Sequence, residues 1–227
     1  MSGYLDYIFI AEWSWDSIEE VVKALESEGA KFTNKVEIPK LRPFGYKAIT
    51  GNILKTLSKL KKKHKHPREF FTDFWLKNIH FLLNFRNSEE KLISNLGYDS
   101  AYVERETEED EKNIKIGRQL ACLVFESLKN PLYGFGGYVK GDEYEDVFKK
   151  EIGNRKILEN RWSLFLTEKF PNAIQKKELL NLPYKRKLLK NGIFLFMCDS
   201  PIFYLKKEEK ESTEEITVYF NKIKARD

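Results

Sequence analysis

YLDYIFIAEW, residues 4–13, is the stretch that decides the fold. Its side chains alternate around an apolar centre, a pattern that predicts a β-strand. The next segment, SWDSIEEVVKALESEG at residues 14–29, has apolar residues at the spacing of one helical face. Asp16 is predicted to cap this helix, Glu19 completes a capping box, and Gly29 ends the helix. A strand followed directly by a helix predicts a layered α/β or α+β domain.

Working outward from this pair, the remaining chain predicts more strands and helices. Helices are predicted at residues 51–63, at 111–129, from Asp142 onward, and, as a short basic helix, at 182–190. Strands are predicted at residues 79–85, 100–107, 193–198, 202–205 and 216–223. Residues 31–46 contain two prolines and a glycine and are predicted to be irregular, and Gly97 is predicted to turn the chain.

These elements predict an α+β fold with a mixed or mostly antiparallel sheet of about five or six strands packed against several helices. No linker composition separates two parts of the chain, so residues 1–227 are predicted to form one domain. Breaking residues concentrate near residues 129–141, which is the predicted position of any seam.

The composition excludes several classes of protein. With 227 residues, 41% of them hydrophobic and 14% aromatic, the chain can bury a substantial core and is not predicted to be disordered. The net charge of +5 permits contact with nucleic acid or anionic lipid but does not demand either. No stretch has the length and hydrophobicity of a membrane span, and no signal peptide is evident, so a soluble, cytoplasmic protein is predicted.

The chain has two cysteines, Cys122 and Cys198, both among apolar neighbours. Their number excludes a disulfide framework, and both are predicted to be buried, reduced and unreactive.

A glycine-rich aromatic segment, NPLYGFGGYVKG at residues 130–141, is the strongest candidate for a binding site. Because glycine loosens the backbone and exposed rings anchor interfaces, the segment is predicted to be a flexible contact loop. The candidate partner-binding or ligand-binding residues are Tyr133, Phe135, Tyr138 and Lys140. Its glycines do not have the spacing of a dinucleotide-binding loop or a P-loop. The alternative is a connector whose rings fold back onto the core.

A basic stretch at residues 55–68 is the second candidate site. It would contact nucleic acid through Lys59, Lys61, Lys62, Lys63, Lys65 and Arg68. The aromatic residues that follow it would stack on bases: Phe70, Phe71, Phe74 and Trp75. No recognition motif for DNA or RNA accompanies these charges, so a solvated helix end with weak, salt-sensitive affinity is the favoured interpretation.

Catalytic and metal-binding motifs are not found in the sequence. The pair His64 and His66 lies among lysines, whose charges repel a divalent cation, so no metal site is predicted. No nucleophile elbow is present, and neither cysteine has the electropositive, exposed setting of an activated thiol. No catalytic residue and no cofactor is assigned, although an enzyme with a dispersed active site leaves no local signature.

The order of strand, helix, strands, long helix, Tyr-Gly loop and late strand resembles that of bacterial immunity-type proteins. The resemblance implies a protein that blocks a protein partner, and it assigns no role to any residue. The favoured function is therefore non-enzymatic binding of a protein partner or a small ligand. The alternatives are nucleic-acid binding, an immunity-type blocking protein and an enzyme with dispersed residues.

Overall fold

The computed structural model describes residues 4–40, 45–64, 67–103, 107–137, 162–181 and 184–196. The chain divides into two compact units, unit 1 at residues 1–131 and unit 2 at residues 132–227. Strands and helices are described in both units.

Unit 1 is built on six strands that follow the order β3-β2-β4-β5-β6-β1. All five pairings between neighbouring strands are antiparallel. The strands are β1 (Tyr4–Glu12), β2 (Lys31–Lys40), β3 (Gly45–Thr50), β4 (Glu69–Leu76), β5 (Ile79–Ser88) and β6 (Lys91–Asp99).

Three helices accompany these strands: α1 (Trp15–Ser27), α2 (Ile53–Lys63) and α3 (Glu108–Ser127). Each helix is preceded by a cap residue whose side chain accepts a hydrogen bond from a backbone N–H of the first turn. The cap residues are Ser14 for α1, Asn52 for α2 and Thr107 for α3. Such caps satisfy donors that have no partner within the helix. Cap residues are thus encoded in the sequence at each helix start.

The core of unit 1 lies between the helices and one face of β4 and β5, and along β1 the side chains of both faces are buried. Along β4 and β5 every second side chain is buried, as expected when only one face of a strand is covered by the core. Phe9 of β1 meets Phe125 of α3 with ring centroids 6.2 Å apart. Trp15 of α1 stacks on Phe70 of β4 at 5.5 Å. Aromatic rings therefore join the helices to the sheet.

Strand β2 contains a bulge opposite β4. Phe32 pairs with Phe74 and Val36 pairs with Thr72, so three residues of β2 lie opposite Asp73 alone. Within the bulge Asn34 has a φ of 58°, the left-handed conformation that asparagine tolerates better than most residues. The bulge brings Thr33 close to Asp73.

Unit 2 has four described strands in the order β7-β8-β10-β9, again with antiparallel pairings. Its elements are β7 (Pro131–Gly137), which begins at the boundary residue, β8 (Ser163–Leu166), α4 (Ala173–Asn181), β9 (Lys185–Leu189) and β10 (Gly192–Phe196). Phe165 of β8 and Phe194 of β10 stack at 4.2 Å in its core.

The α+β class and the antiparallel pairing predicted from the sequence are confirmed, but the predicted number of strands is wrong. The described residues contain ten strands rather than five or six. The difference arises where strands lack clear alternation in the sequence. Residues 31–40 form β2 rather than an irregular segment, Gly97 lies within β6, and the basic residues after 184 form β9 rather than a helix.

Two further local predictions are wrong. Ser14, not Asp16, caps α1, because the helix begins at Trp15 and buries that ring in the core. Residues 100–102, predicted to begin a strand, form a 3-10 turn. The predicted helix from Asp142 and the predicted strands at 202–205 and 216–223 lie outside the described residues.

Candidate functional site

The outward face of strands β2 to β5, which we call the open face, carries an unusual set of side chains. These side chains alternate with the buried core residues along β4 and β5 and are half-buried or exposed. The register places Phe71 opposite Glu37, Asp73 opposite Leu82, and Trp75 opposite His80, so these side chains share one face.

A hydrogen-bonded network surrounds Asp73 on the open face. Its Oδ2 lies 2.7 Å from Nε2 of His80, and its Oδ1 accepts a 2.7 Å hydrogen bond from the hydroxyl of Thr33. Thr33 reaches this position because the bulge of β2 lies opposite Asp73. Both carboxylate oxygens therefore have partners, which fixes the orientation of the imidazole.

Trp75 is the exposed ring at one end of this network. Its side chain is 44% exposed, and its ring lies 4.9 Å from that of His80. A large ring left in water costs hydrophobic free energy, and exposed tryptophans are enriched at binding sites. The contact with His80 limits the motion of the indole and so lowers the entropy that binding would cost.

A second aromatic pair lies at the other end of the open face. Tyr46 of β3 is 59% exposed and packs edge-on against Phe71 with centroids 4.9 Å apart. Phe71 and Trp75 are four positions apart along β4, which corresponds to about 13 Å at the rise of a strand. The open face therefore presents two aromatic pairs with a polar centre between them.

The charges of the open face balance. Its acidic residues are Glu37, Glu69 and Asp73, and its basic residues are Lys31, Lys35 and Arg86. Glu37 forms an ion pair with Lys35, and the hydrogen bond within this pair raises the pKa of the lysine. Glu69 accepts a 2.7 Å hydrogen bond from the amide of Asn84. A face with three charges of each sign has no net attraction for a polyanion.

A buried carboxyl group lies on the same row of the sheet. The register joins Asp73 to Leu82, Leu82 to Gly97 and Gly97 to Asp6 across four strands. Burial raises the pKa of Asp6 to about 6, against the smaller lowering effect of a hydrogen bond with Asn95. Asp6 is therefore a titratable group close to neutral pH in the interior beside the open face.

The aromatic loop predicted as the contact site is not a loop in its described part. Residues 131–137 form β7, and both Tyr133 and Phe135 are fully buried in unit 2. The ring of Tyr133 lies 4.5 Å from that of Phe170, so it packs inside its own unit. The predicted contact surface therefore does not include Tyr133 or Phe135, because strand pairing with β8 turns them into the core. Tyr138 and Lys140 lie outside the described residues.

The basic stretch forms the exposed end of α2 and the residues after it. Its described members are all exposed: Lys59, Lys61, Lys62, Lys63 and Arg68. Lys61 lies 2.9 Å from a carboxylate oxygen of Asp16 and 3.6 Å from one of Glu19, and the bond to Asp16 raises the pKa of the lysine. One of these cations is thus engaged within the protein. Lys65 lies outside the described residues.

Sequence reasoning found part of the open face and missed the rest. It named Phe70, Phe71, Phe74 and Trp75 together as rings that would stack on bases, but Phe70 and Phe74 are buried in the core. Alternate side chains of a strand face opposite sides of the sheet, so the positions within residues 69–76 separate Phe71 and Trp75 from Phe70 and Phe74. Tyr46, Thr33 and His80 gave no such signal, because only the strand register brings them to Asp73 and Phe71.

Other kinds of site have less support in the described part of the chain. There, no group of three or more histidine, cysteine or acidic side chains is placed to hold a metal ion. Cys122 is a buried cysteine on α3, whereas Cys198 lies beyond the described ranges. None of the described helices combines the length and the apolar character needed to cross a membrane.

Comparison of the chain with protein-family models, with curated proteins and with solved structures finds no match in any of the three.

Proposed function

We propose that the chain is a non-enzymatic binding protein and that the open face of unit 1 takes a protein partner. The observation that carries this proposal is the pair of exposed rings, Tyr46 and Trp75, each supported by a second ring on the same face. Rigid aromatic side chains beside satisfied polar groups are typical of the residues that dominate protein interfaces.

The charge balance of the open face favours a protein over nucleic acid. A nucleic-acid surface needs an excess of lysine and arginine to neutralise phosphates, whereas the open face has as many acids as bases. The basic stretch on α2 supports only the weaker alternative, since Lys61 is already paired with Asp16.

The hydrogen bonds around Asp73 support a binding role over a catalytic one. Thr33 and His80 occupy its two carboxylate oxygens, so the group serves to hold its neighbours in place. Such preorganised polar groups add specificity to an interface without an ordering cost at the moment of binding.

The proposal is tested with a photo-crosslinking residue placed at position 46 or 75 of the full chain, in the cells that make the protein. The same residue at position 174 is the control, because Ile174 is 70% exposed but belongs to unit 2. We expect positions 46 and 75 to crosslink to one and the same protein, and position 174 not to do so.

The complex is then rebuilt from purified components and measured by calorimetry. Trp75→Ala is expected to weaken it by about thirtyfold, the loss of about 2 kcal/mol typical of an aromatic anchor. Ile174→Ala should leave affinity unchanged. Crosslinks to nucleic acid, or equal affinity of the Trp75→Ala variant and the unaltered protein, would refute the proposal.

A further inference from the structure

Helix α2 carries a row of lysines on its outward side. At about 100° per residue, four of its lysines fall within an arc of about 100° and span about 12 Å along the helix axis. The other side of the helix packs into the core through Ile53, Leu57 and Leu60, each at most 2% exposed. All four lysines are exposed, and we call them the lysine stripe: Lys55, Lys59, Lys62 and Lys63.

The fifth lysine of α2 has a different environment. Lys61 is turned towards α1, where its ammonium group lies 2.9 Å from Asp16 and 3.6 Å from Glu19. In the described part of the chain, the ion pairs of α2 are those of Lys61 alone. Unit 1 as a whole carries nearly equal numbers of acidic and basic residues. Any attraction for an anion therefore comes from the local arrangement of the lysine stripe and not from net charge.

The lysine stripe offers charge without apolar contact. Lysines alone hold a protein only weakly on an anionic membrane, and stable binding needs a second anchor such as an inserted apolar side chain. The core encloses Ile53, Leu57 and Leu60 of α2, so they cannot serve as that anchor. An acidic protein partner would be held by aromatic or apolar anchors. Among the lysines of the stripe, the sequence places only the polar Ser58.

Single-stranded nucleic acid is also a poor fit. Such strands bind to a basic surface through aromatic side chains on which successive bases stack. Helix α2 contains no aromatic residue. Of the rings that follow it, Phe70 and Phe74 are buried, and Phe71 and Trp75 lie on the open face. The features that remain, closely spaced cations on one helical face, match a polyanion that is bound through its phosphates.

We propose that the lysine stripe binds the phosphate backbone of duplex DNA without sequence preference. Duplex DNA has the densest charge of the partners considered, and each neutralised phosphate releases condensed counterions. The major groove of B-form DNA, about 12 Å wide, admits an α-helix, whereas that of duplex RNA is too narrow to be entered. Lysine contacts phosphate as a point charge and reads no base by itself. This proposal concerns α2 and does not depend on the open face.

The slope of affinity against salt concentration tests the proposal. The full chain is titrated onto a fluorescein-labelled DNA duplex of about 20 base pairs, and anisotropy is measured between about 50 and 200 mM salt. Four phosphate contacts predict a slope of log affinity against log salt of about −3.6, which is a loss of about 150-fold over this range. A duplex of unrelated sequence should bind equally well, and a single strand of the same length should bind more weakly.

Two pairs of substitutions assign the contacts. Lys55→Gln with Lys59→Gln should reduce the slope to about −1.8, because each lost phosphate contact lowers it by about 0.9. Lys23→Gln with Lys112→Gln is the matched control, since it removes two exposed lysine charges from α1 and α3 of the same unit. Its slope should stay near that of the unaltered protein. Glutamine keeps the helix propensity of lysine, and circular dichroism verifies that each variant is folded.

Replacement of all four lysines of the stripe by glutamine should abolish binding of the duplex. The proposal is overturned if the two double variants have the same slope, or if the duplex does not bind at about 50 mM salt. It is also overturned if the single strand, an RNA duplex, or vesicles of phosphatidylcholine and phosphatidylserine bind more tightly than the DNA duplex. If the fourfold variant does not fold, the comparison between the two double variants decides the question.

Discussion

Asp6 and Asp16 lie in the same unit, yet their pKa values move in opposite directions. Desolvation by burial raises the pKa of Asp6 to about 6. Hydrogen bonds from Lys61 and Lys129 lower the pKa of Asp16 to about 2. The two carboxyl groups therefore contribute to stability in different ranges of pH.

The substitution Asp6→Asn is expected to stabilise the protein at neutral pH. A folded-state pKa above the ordinary value of 3.8 means that the protonated form favours folding. That contribution is complete below about pH 4 and is lost as pH rises through about 6. The variant should therefore gain up to about 3 kcal/mol over the unaltered protein at pH 7, and much less at pH 4. Urea unfolding at several pH values measures the difference.

Asp16→Asn is the matched control for this experiment, because its stability relative to the unaltered protein is expected to change with pH in the opposite direction. The stability that Asp16 contributes is present above its ordinary pKa and is lost as pH falls through about 2. If the stability of Asp6→Asn followed that of the unaltered protein in parallel from pH 4 to pH 7, the interpretation of Asp6 as a buried, titrating group would be wrong.

Single residues also explain where sequence reasoning reached its limit. Gly97 was predicted to be a turn residue, because glycine commonly ends a strand. It lies within β6 instead, at a position with no room for a side chain. A Cβ there would be 2.6 Å from Oδ1 of Asp6 on the neighbouring strand. The reason for the glycine is a contact with a residue more than ninety positions away in the sequence, which no local pattern reveals.

At the scale of elements, α3 depends on both a local signal and a distant contact. Thr107 and Asp110 form a capping box at its start, which marks a helix boundary in the sequence. Gly117 in its middle weakens helix propensity, and its place is explained by Tyr98 of β6. A Cβ on Gly117 would lie 2.9 Å from the Tyr98 hydroxyl oxygen.

Gly117→Ala is therefore expected to destabilise the protein by about 1 kcal/mol. The gain in helix propensity, about 1 kcal/mol, is smaller than the overpacking cost of about 1–3 kcal/mol. Adding Tyr98→Phe removes the hydroxyl group and should recover part of the loss. Chemical denaturation of the two single variants and the double variant tests this. A single Gly117→Ala variant more stable than the unaltered protein would show that the ring yields without cost.

The helices of unit 1 were predictable because an amphipathic face repeats within a short stretch, and α1, α2 and α3 occur where the periodicity indicated them. Strands β2 and β9 were not predictable from the sequence, since their basic or proline-containing segments acquire strand geometry through pairing. The same limit applies to the candidate site. Phe71 and Trp75 were named only together with the buried Phe70 and Phe74, and their partners Tyr46 and His80 are brought to them by the strand register.

On the scale of the whole molecule, the division at residues 131 and 132 raises the question of cooperativity. The sequence predicts one domain, because no linker composition separates the two units. Strand β7 begins at Pro131, the last residue of unit 1, and continues into unit 2. We therefore expect both units to unfold together.

The four tryptophans test this expectation, because Trp13, Trp15 and Trp75 belong to unit 1 and Trp162 to unit 2. Fluorinated tryptophan gives one ¹⁹F NMR signal for each position, assigned with single Trp→Phe variants. On heating, all four folded signals should disappear with the same midpoint. A separate midpoint for Trp162 would show that the chain contains two independently folding domains.

The bulge of β2 also limits which changes in chain length the strand can accommodate. It adds two residues to β2 relative to β4, and two is the repeat of a strand, so Phe32 and Val36 both still face the core. Loss of both extra residues would restore a plain ladder and keep the core side chains inward, at the expense of the contact from Thr33 to Asp73. Loss of one residue would turn the rest of the strand inside out unless the remaining extra residue formed an ordinary one-residue bulge. Changes of chain length at this point are therefore accommodated best in pairs.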